Sequence, residues 1–395
     1  MIPKHLVQTG IETLISDPPV FRIVKGKRLG LLANAASINR KFQHSRDLVA
    51  QAFPGQLKAL FSPQHGFLAE KQDNMIASSD MIDPFLKIPV FSLYGSQRIP
   101  SQEMFDLIDT LIVDLQDVGT RVYTFIYTMA LCLEAACEYG KEVVVLDRPN
   151  PIGGNQIEGN CLSPEYTSFV GMYPIPMRHG LTVGELARLF NEHFGIGCNL
   201  TVIPMKGWKR EYYFSDTLLP WALPSPNLPT PSSAVVYPGQ VLWEGSNISE
   251  GRGTTLPFEL FGAPFIKPTF FKNLSERIEC PGVHLRCVGF EPTSNKWQGH
   301  LCYGFQLHVT DPIRFQPYKT SLSLLQEIIK GYPEEFEWKK PPYEYEFEKM
   351  PIDLIVGDQK IRKAIESFED IGSIEQRWGE DLKAFAEIRK GYLLY

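Results

Sequence analysis

Residues 110–151 read TLIVDLQDVGTRVYTFIYTMALCLEAACEYGKEVVVLDRPNP, and their pattern decides the fold. Residues 110–115 form a short apolar run of strand length. The period then changes. Val122, Phe125, Ile126, Met129, Ala130, Leu133 and Cys137 recur at helical spacing and Gly140 stops the run, so a helix is expected over 122–139. Residues 142–146 (EVVVL) form the next strand. Strand, helix and strand without a hairpin turn imply a crossover, and hence a parallel sheet covered on both faces.

Further strands are expected at 28–33, 57–61, 89–93 and 200–204, with a helix at 103–108. Thr182 and Glu185 form a capping box ahead of Val183, Leu186, Leu189, Phe190 and Phe194. Residues 151–260 are otherwise loop-rich, including the Pro-dense LPWALPSPNLPTPSSAVVYPG. From about residue 265 a second domain is expected, with a strand at 302–309 and helices at 322–330, 359–368 and 374–389.

Composition removes several classes of function. The 395 residues carry a net charge of −6 and no basic block, which argues against nucleic-acid binding. No apolar run is long enough to span a bilayer, and MIPKHLVQTG lacks the apolar region of a secretory leader, so a cytoplasmic location is expected. The 7 cysteines include no CxxC pair and read as reduced thiols. No Walker loop, GxGxxG, GxSxG or HExxH is present, so neither a cofactor nor a metal is expected.

Four expected strands end in polar, Gly- or Pro-containing motifs, at the edge where open α/β sheets bind ligands. SPQHGF follows Phe61 and offers Gln64 and His65. YG follows Leu93. QDVGTR follows Leu115, so that Asp114, Gln116, Asp117, Arg121 and Tyr123 sit where a strand enters a helix. DRPNP follows Leu146 and offers Asp147, Arg148 and Asn150. MRHG places Arg178 and His179 before the capped helix, and LPSPNLPT holds Asn227. EGSNISEGRGTT combines Glu244, Asn247, Glu250 and Arg252 with glycines that permit close ligand approach. Each motif also has a purely architectural reading, as a capped turn or an internal ion pair. Without a metal or nucleotide loop, carboxylate-driven hydrolysis of a polar ligand, such as a glycoside, is the economical reading.

These motifs resemble the NamZ-type exo-β-N-acetylmuramidases along nearly the whole chain, most specifically in LIVDLQDVGTRVYTFIYTMA, VLDRPNPIGG, FVGMYPIPMRHGLTVGELARLFN, LPWALPSPNLPT and EGSNISEGRGTTLPFELFGAP. The resemblance implies an α/β fold with a Rossmann-like N-terminal domain (1–245), a smaller C-terminal α/β domain (246–395) and a cleft between them. It also implies release of terminal N-acetylmuramic acid (MurNAc) from small peptidoglycan saccharides in cell-wall turnover, with no cofactor and no nucleic-acid or membrane partner. Room for a homo-oligomer remains.

One departure stands out. The family pattern is PEHG, with its Glu the favoured catalytic carboxylate, whereas this chain has Gln64. A carboxamide exchanges no proton at neutral pH. Glu70 and Asp73 in FLAEKQDN, or Glu244 and Glu250 across the cleft, are then the candidate acids, with His65 assisting. Arg178 and Asn247 are expected to anchor the sugar, with its lactyl carboxylate on an arginine. Three readings stand at this point: a muramidase, a binding or sensing protein that has lost hydrolysis, and a hydrolase of a related sugar.

Overall fold

The computed structural model describes residues 6–73 and 75–395. Residues 1–5, part of the stretch inspected above for a leader, lie outside the described residues. The strands are β1 (Leu29–Ala33), β2 (Leu57–Ser62), β3 (Met81–Ile82), β4 (Pro89–Ser92), β5 (Thr110–Asp114) and β6 (Glu142–Leu146), followed by β7 (Glu158–Cys161), β8 (Pro176–Arg178) and β9 (Asn199–Ile203). Then come β10 (Leu260–Ala263), β11 (Val283–Phe290) and β12 (Cys302–Val309).

The main sheet runs β3-β4-β2-β1-β5-β6-β9, with every pair parallel except β3 with β4. Register is set by apolar runs that are buried on both faces: Leu31 sits opposite Leu60 and Ile112, and Val113 opposite Val145. Buried runs of this kind belong in a sheet covered on both sides. The antiparallel sheet β10-β12-β11 forms the second unit, and its helix Pro317–Gly331 packs on helix Pro231–Gln240. One apolar cluster runs from Leu32 and Phe61 through Trp243 to Phe385, so both units share a continuous core. Among the described residues no helix is long and apolar enough to cross a membrane.

Two local differences from the sequence reading have physical causes. The helix expected from residue 122 begins at Phe125. The backbone N–H of Arg121 donates to Met177 O at 2.8 Å and Thr120 bridges Arg178, which pulls this stretch out of helical geometry. The Pro-dense stretch contains helix Pro231–Gln240 where loop was expected. Thr230 caps it and Pro231 stands in the first turn, where no backbone donor is needed; a second proline, Pro238, lies inside the helix.

The chain leaves β1 for β2 and β4, then returns to β5 on the other side, which makes the β1/β5 boundary the topological switch point. In a dinucleotide-binding fold the ligand sits there. Here the crevice is filled by protein. Arg148 forks onto Asp114 (Nε–Oδ1 2.6 Å, Nη2–Oδ2 2.8 Å), and the Asn34 amide bridges Gln116 O and Pro224 O at 3.3 Å each. Trp221 and Phe214, with rings 4.8 Å apart, cover what remains.

Arg121 joins the two units. It is fully buried, and its guanidinium donates to four carbonyls: Asn160 O (2.7 Å), Ile175 O (3.1 Å), Ile355 O (3.1 Å) and Val356 O (2.8 Å). The last two end helix Pro351–Val356 of the C-terminal unit. Removing the donors strands buried acceptors, each costing about 1–3 kcal/mol. Arg121→Met, which keeps the volume, is expected to lose at least about 3 kcal/mol in urea unfolding. An unchanged midpoint would show that those carbonyls find other donors.

Candidate active site

The site begins at the carboxyl end of β2. Residues 62–66 turn sharply there, with His65 at φ 74° and Gly66 at φ 85°. At that positive φ glycine sits without the strain a side chain would bring. Nδ1 of His65 lies 2.8 Å from Lys71 O, which makes it the protonated nitrogen and leaves Nε2 an acceptor. Burial pushes the imidazole down to about 4, despite the Lys71 carbonyl. His65 is therefore neutral at physiological pH.

Gln64 is held on all sides. Its Oε1 accepts from Thr124 Oγ1 at 2.6 Å. Its Nε2 donates to Tyr94 Oη at 3.0 Å and to Glu344 Oε1 at 3.0 Å. Tyr94 in turn donates to Glu344 Oε2 at 2.6 Å. Both amide hydrogens are spent on protein. The expected carboxylate neighbour of Gln64 thus exists, and it is Glu344, from the C-terminal unit. Burial drives the Glu344 carboxyl up to about 7, against the Tyr94 and Gln64 hydrogen bonds and with help from the negative charge of Glu244.

Glu244 is the second carboxylate. Its Oε1 accepts from Arg252 Nη2 at 2.7 Å and its Oε2 from Tyr343 Oη at 2.7 Å. Burial raises its pKa, but the Arg252 charge and these hydrogen bonds outweigh that and hold it below the usual range. Glu250 stands 3.2 Å from Arg252 Nε and 2.8 Å from Lys296 Nζ. Glu344 and Glu244 therefore sit in one pocket with opposite tendencies, which is how acid and base roles are separated.

The pocket is small, with a cavity of about 40 Å³. Gln64, His65, Tyr123, Asn227, Glu244, Arg252 and Glu344 all line it. Asn227 and Arg252 also border an outer groove that holds Asp73, Thr254 and Asn295. Asp73 accepts from Asn295 Nδ2 at 3.1 Å. Glu70 is exposed and lies under the β2 turn, where its Oε2 accepts from Leu68 N–H at 3.2 Å, outside the pocket lining.

The other expected binding residues are built into the scaffold. Asp114 and Arg148 fill the switch point and Arg121 is consumed by carbonyls. Asp147 accepts from Thr182 Oγ1 (2.8 Å), Gly184 N–H (2.7 Å) and Tyr395 Oη (2.8 Å), and burial raises it to about 7. Gln116 donates to Asp117 O (2.8 Å) and Pro149 O (2.9 Å), and Asn150 donates to Leu181 O (3.0 Å). Asp117 accepts from Gly119 N–H at 2.7 Å and faces His179 at 3.4 Å. Arg178 holds Gln156, Ile152 O and Tyr213, and Asn247 donates to Glu335 O at 2.8 Å. Neither of these two expected anchors lines the pocket, because each is turned into a neighbouring loop.

Sequence reasoning missed Glu344, Tyr343, Tyr94 and Thr124. The one signal for Tyr94 was the YG following β4. Glu344 lies among Glu346 and Glu348 in PPYEYEFEKMP, and nothing local separates it from a solvated acidic run. Among the described residues no group of three or more His, Cys, Asp or Glu side chains is placed to hold a metal ion.

Two buried carboxylates of contrasting character, Glu244 and Glu344, lie beside the turn that ends β2, an arrangement suited to acid–base hydrolysis by a glycoside hydrolase. Comparison with known proteins narrows this. Residues 29–232 match the N-terminal domain, and residues 235–395 the C-terminal domain, of exo-beta-N-acetylmuramidase NamZ. Peptidoglycan beta-N-acetylmuramidase NamZ of Bacillus subtilis (strain 168) is 48% identical over 392 residues, covering 99% of this chain and 92% of that protein. Two solved DUF1343 family proteins of Bacteroides fragilis share the fold. One has a TM-score of 0.89 at 33% identity, covering 100% of both chains; the other has 0.75 at 30%, covering 98% of this chain and 99% of its own. The chain belongs to the NamZ exo-β-N-acetylmuramidase family.

The raised Glu344 carboxyl has a consequence for stability. Between its unfolded value, near 4.5, and about 7, the folded state holds a proton that the unfolded state releases, so stability falls as pH rises through this window. The cost is fully present above pH 7 and is on the order of 3 kcal/mol. Glu344→Gln removes this contribution. The variant is expected to lose less melting temperature than the wild type between pH 5 and pH 8. Parallel curves would mean that the carboxyl titrates normally.

Proposed function

We propose that this glycosidase removes a terminal MurNAc residue from the non-reducing end of peptidoglycan fragments, with the sugar seated against Gln64, Glu344, Glu244 and Arg252. The observation that carries the reading is the pairing, within one small pocket, of a carboxyl that favours its protonated form with one held ionised by Arg252.

The distinguishing group of MurNAc is its lactyl carboxylate, and the pocket has a cation for it. Arg252 spends Nη2 on Glu244, while its buried Nη1 has no hydrogen-bond partner among the described residues. An unsatisfied buried donor on a guanidinium suits a ligand carboxylate. Arg252 thus takes over the anchoring role expected of Arg178. Asn227, shared with the outer groove, stands where the sugar and its leaving group meet.

The direct test is turnover of MurNAc-GlcNAc and of a chromogenic MurNAc glycoside by the purified protein. Release of free MurNAc is expected, and tight MurNAc binding with no turnover of either compound would leave a binding protein instead. Specificity can be examined separately. Arg252→Lys keeps the charge beside Glu244 but loses the planar fork, so KM for MurNAc glycosides is expected to rise about tenfold, a change of ~1.4 kcal/mol. The corresponding GlcNAc glycoside, which lacks the lactyl group, should show no such change. An equal rise for both would place the lactyl group elsewhere.

A further inference from the structure

We infer that Glu344 is the group that protonates the departing sugar oxygen, so that the acid of this enzyme is supplied by the C-terminal unit and Gln64 serves to hold it. The inference rests on the glycosidase reading above and specifies its chemistry.

Geometry makes the first argument. Tyr343 and Glu346 exchange backbone hydrogen bonds of 2.8 and 2.9 Å, leaving Glu344 and Tyr345 as the two central residues of a tight turn. Both have positive φ, 46° and 68°. Such a turn ordinarily takes Asn-Gly, because side chains disfavour this region. Two large side chains are retained there against that preference. Facing them is the β2 turn, strained in the same sense at His65. Two strained turns, one from each unit, thus meet through the Gln64–Glu344 hydrogen bond. The Gln64 and Tyr94 hydrogen bonds hold the Glu344 carboxyl at the pocket wall.

Surroundings make the second. The Glu344 carboxyl touches the Gln64 amide and the Tyr94 hydroxyl, with Glu244, Arg252 and the buried Tyr237 on the remaining sides. The Tyr345 ring lies 5.5 Å from Tyr94, and Arg98 stacks on its outer face at 4.5 Å. Arg252 is drawn to Glu244, and Arg98 stands behind the aromatic ring. No cation pairs with Glu344 among the described contacts. A buried carboxyl with two neutral donors and an anionic neighbour keeps its proton near neutral pH, as a general acid must.

The step balances within the established hydrolysis. The Glu344 proton moves to the glycosidic oxygen as the C1–O bond breaks, and its electron pair stays on that oxygen, which leaves as the alcohol. The entering water supplies the hydroxyl that ends on C1 and the proton that recharges Glu344.

The test compares leaving groups. Glu344→Gln should cleave MurNAc-GlcNAc about 10²–10⁴-fold more slowly than wild type. It should cleave an activated aryl MurNAc glycoside, whose leaving group needs no proton, at a rate much closer to wild type. The high-pH limb of kcat/KM should vanish in the variant. Tyr94→Phe supplies a check that keeps the carboxyl. It removes a donor that stabilises the anion, so the high-pH limb should move upward with KM little changed. Equal losses on both substrates with an unaltered pH profile, or no loss at all, would overturn the assignment. A wild type inactive on both substrates would instead overturn the glycosidase reading, and the assignment with it.

Discussion

A fully buried guanidinium, bonded among the described residues to carbonyl oxygens alone, ties the two units of this molecule together. Arg121 is fully buried, and burial depresses its pKa, yet it meets only carbonyl oxygens. Burying a cation on dipoles alone is expensive. What it achieves is placement. Its four acceptors come from β7, from the residue before β8 and from the end of helix Pro351–Val356, so the C-terminal unit is tied to the small β7-β8 sheet and to the loop that follows β5. The turn carrying Glu344 lies a few residues before that helix. Arg121, outside the pocket lining, thus anchors the helix that follows the Glu344 turn.

The filled switch point explains where the pocket is. A doubly wound sheet offers a crevice between its two halves, and many relatives by fold place a nucleotide there. Here Asp114 and Arg148 neutralise each other across it, and the Pro-rich segment covers them with Trp221. A buried, bidentate pair presents no free charge to a phosphate. The ligand space shifts sideways to β2 and to the loop that precedes helix Phe125–Glu138, where Gln64 and Thr124 face the second unit.

How much of this could be read from the sequence depends on the range of each signal. Burial of strands on both faces writes itself as apolar runs, so the runs at 57–61, 110–115 and 142–146 mark sheet strands directly. Capping is equally local, and Thr182 with Glu185 forms the expected box. The motifs were legible as polar strand ends but not as ligand contacts. Asp147, Arg178 and His179 carry chemistry in their side chains, yet they spend it on partners far away in sequence. Glu344 is the opposite case. It lies 280 residues from Gln64, in a run of glutamates, and only tertiary placement separates it from its exposed neighbours. The Pro-dense helix was hidden for another reason: packing against helix Pro317–Gly331 overrides a local preference against helix.

The same placement gives Gln64 a physical rationale. A glutamate at this position, with the observed geometry, would put a second carboxyl 3.0 Å from Glu344. Two carboxyls at that range cannot both ionise, and they titrate as a pair sharing one proton. With the amide, the pocket holds one protonatable carboxyl, Glu344, and one anion, Glu244, already matched by Arg252. The amide donates to Glu344 without competing for its proton, and Thr124 fixes the orientation in which it does so. An amide at position 64 therefore does not by itself empty the site of acid chemistry. It confines the proton to one carboxyl and leaves that carboxyl in the hands of the C-terminal unit.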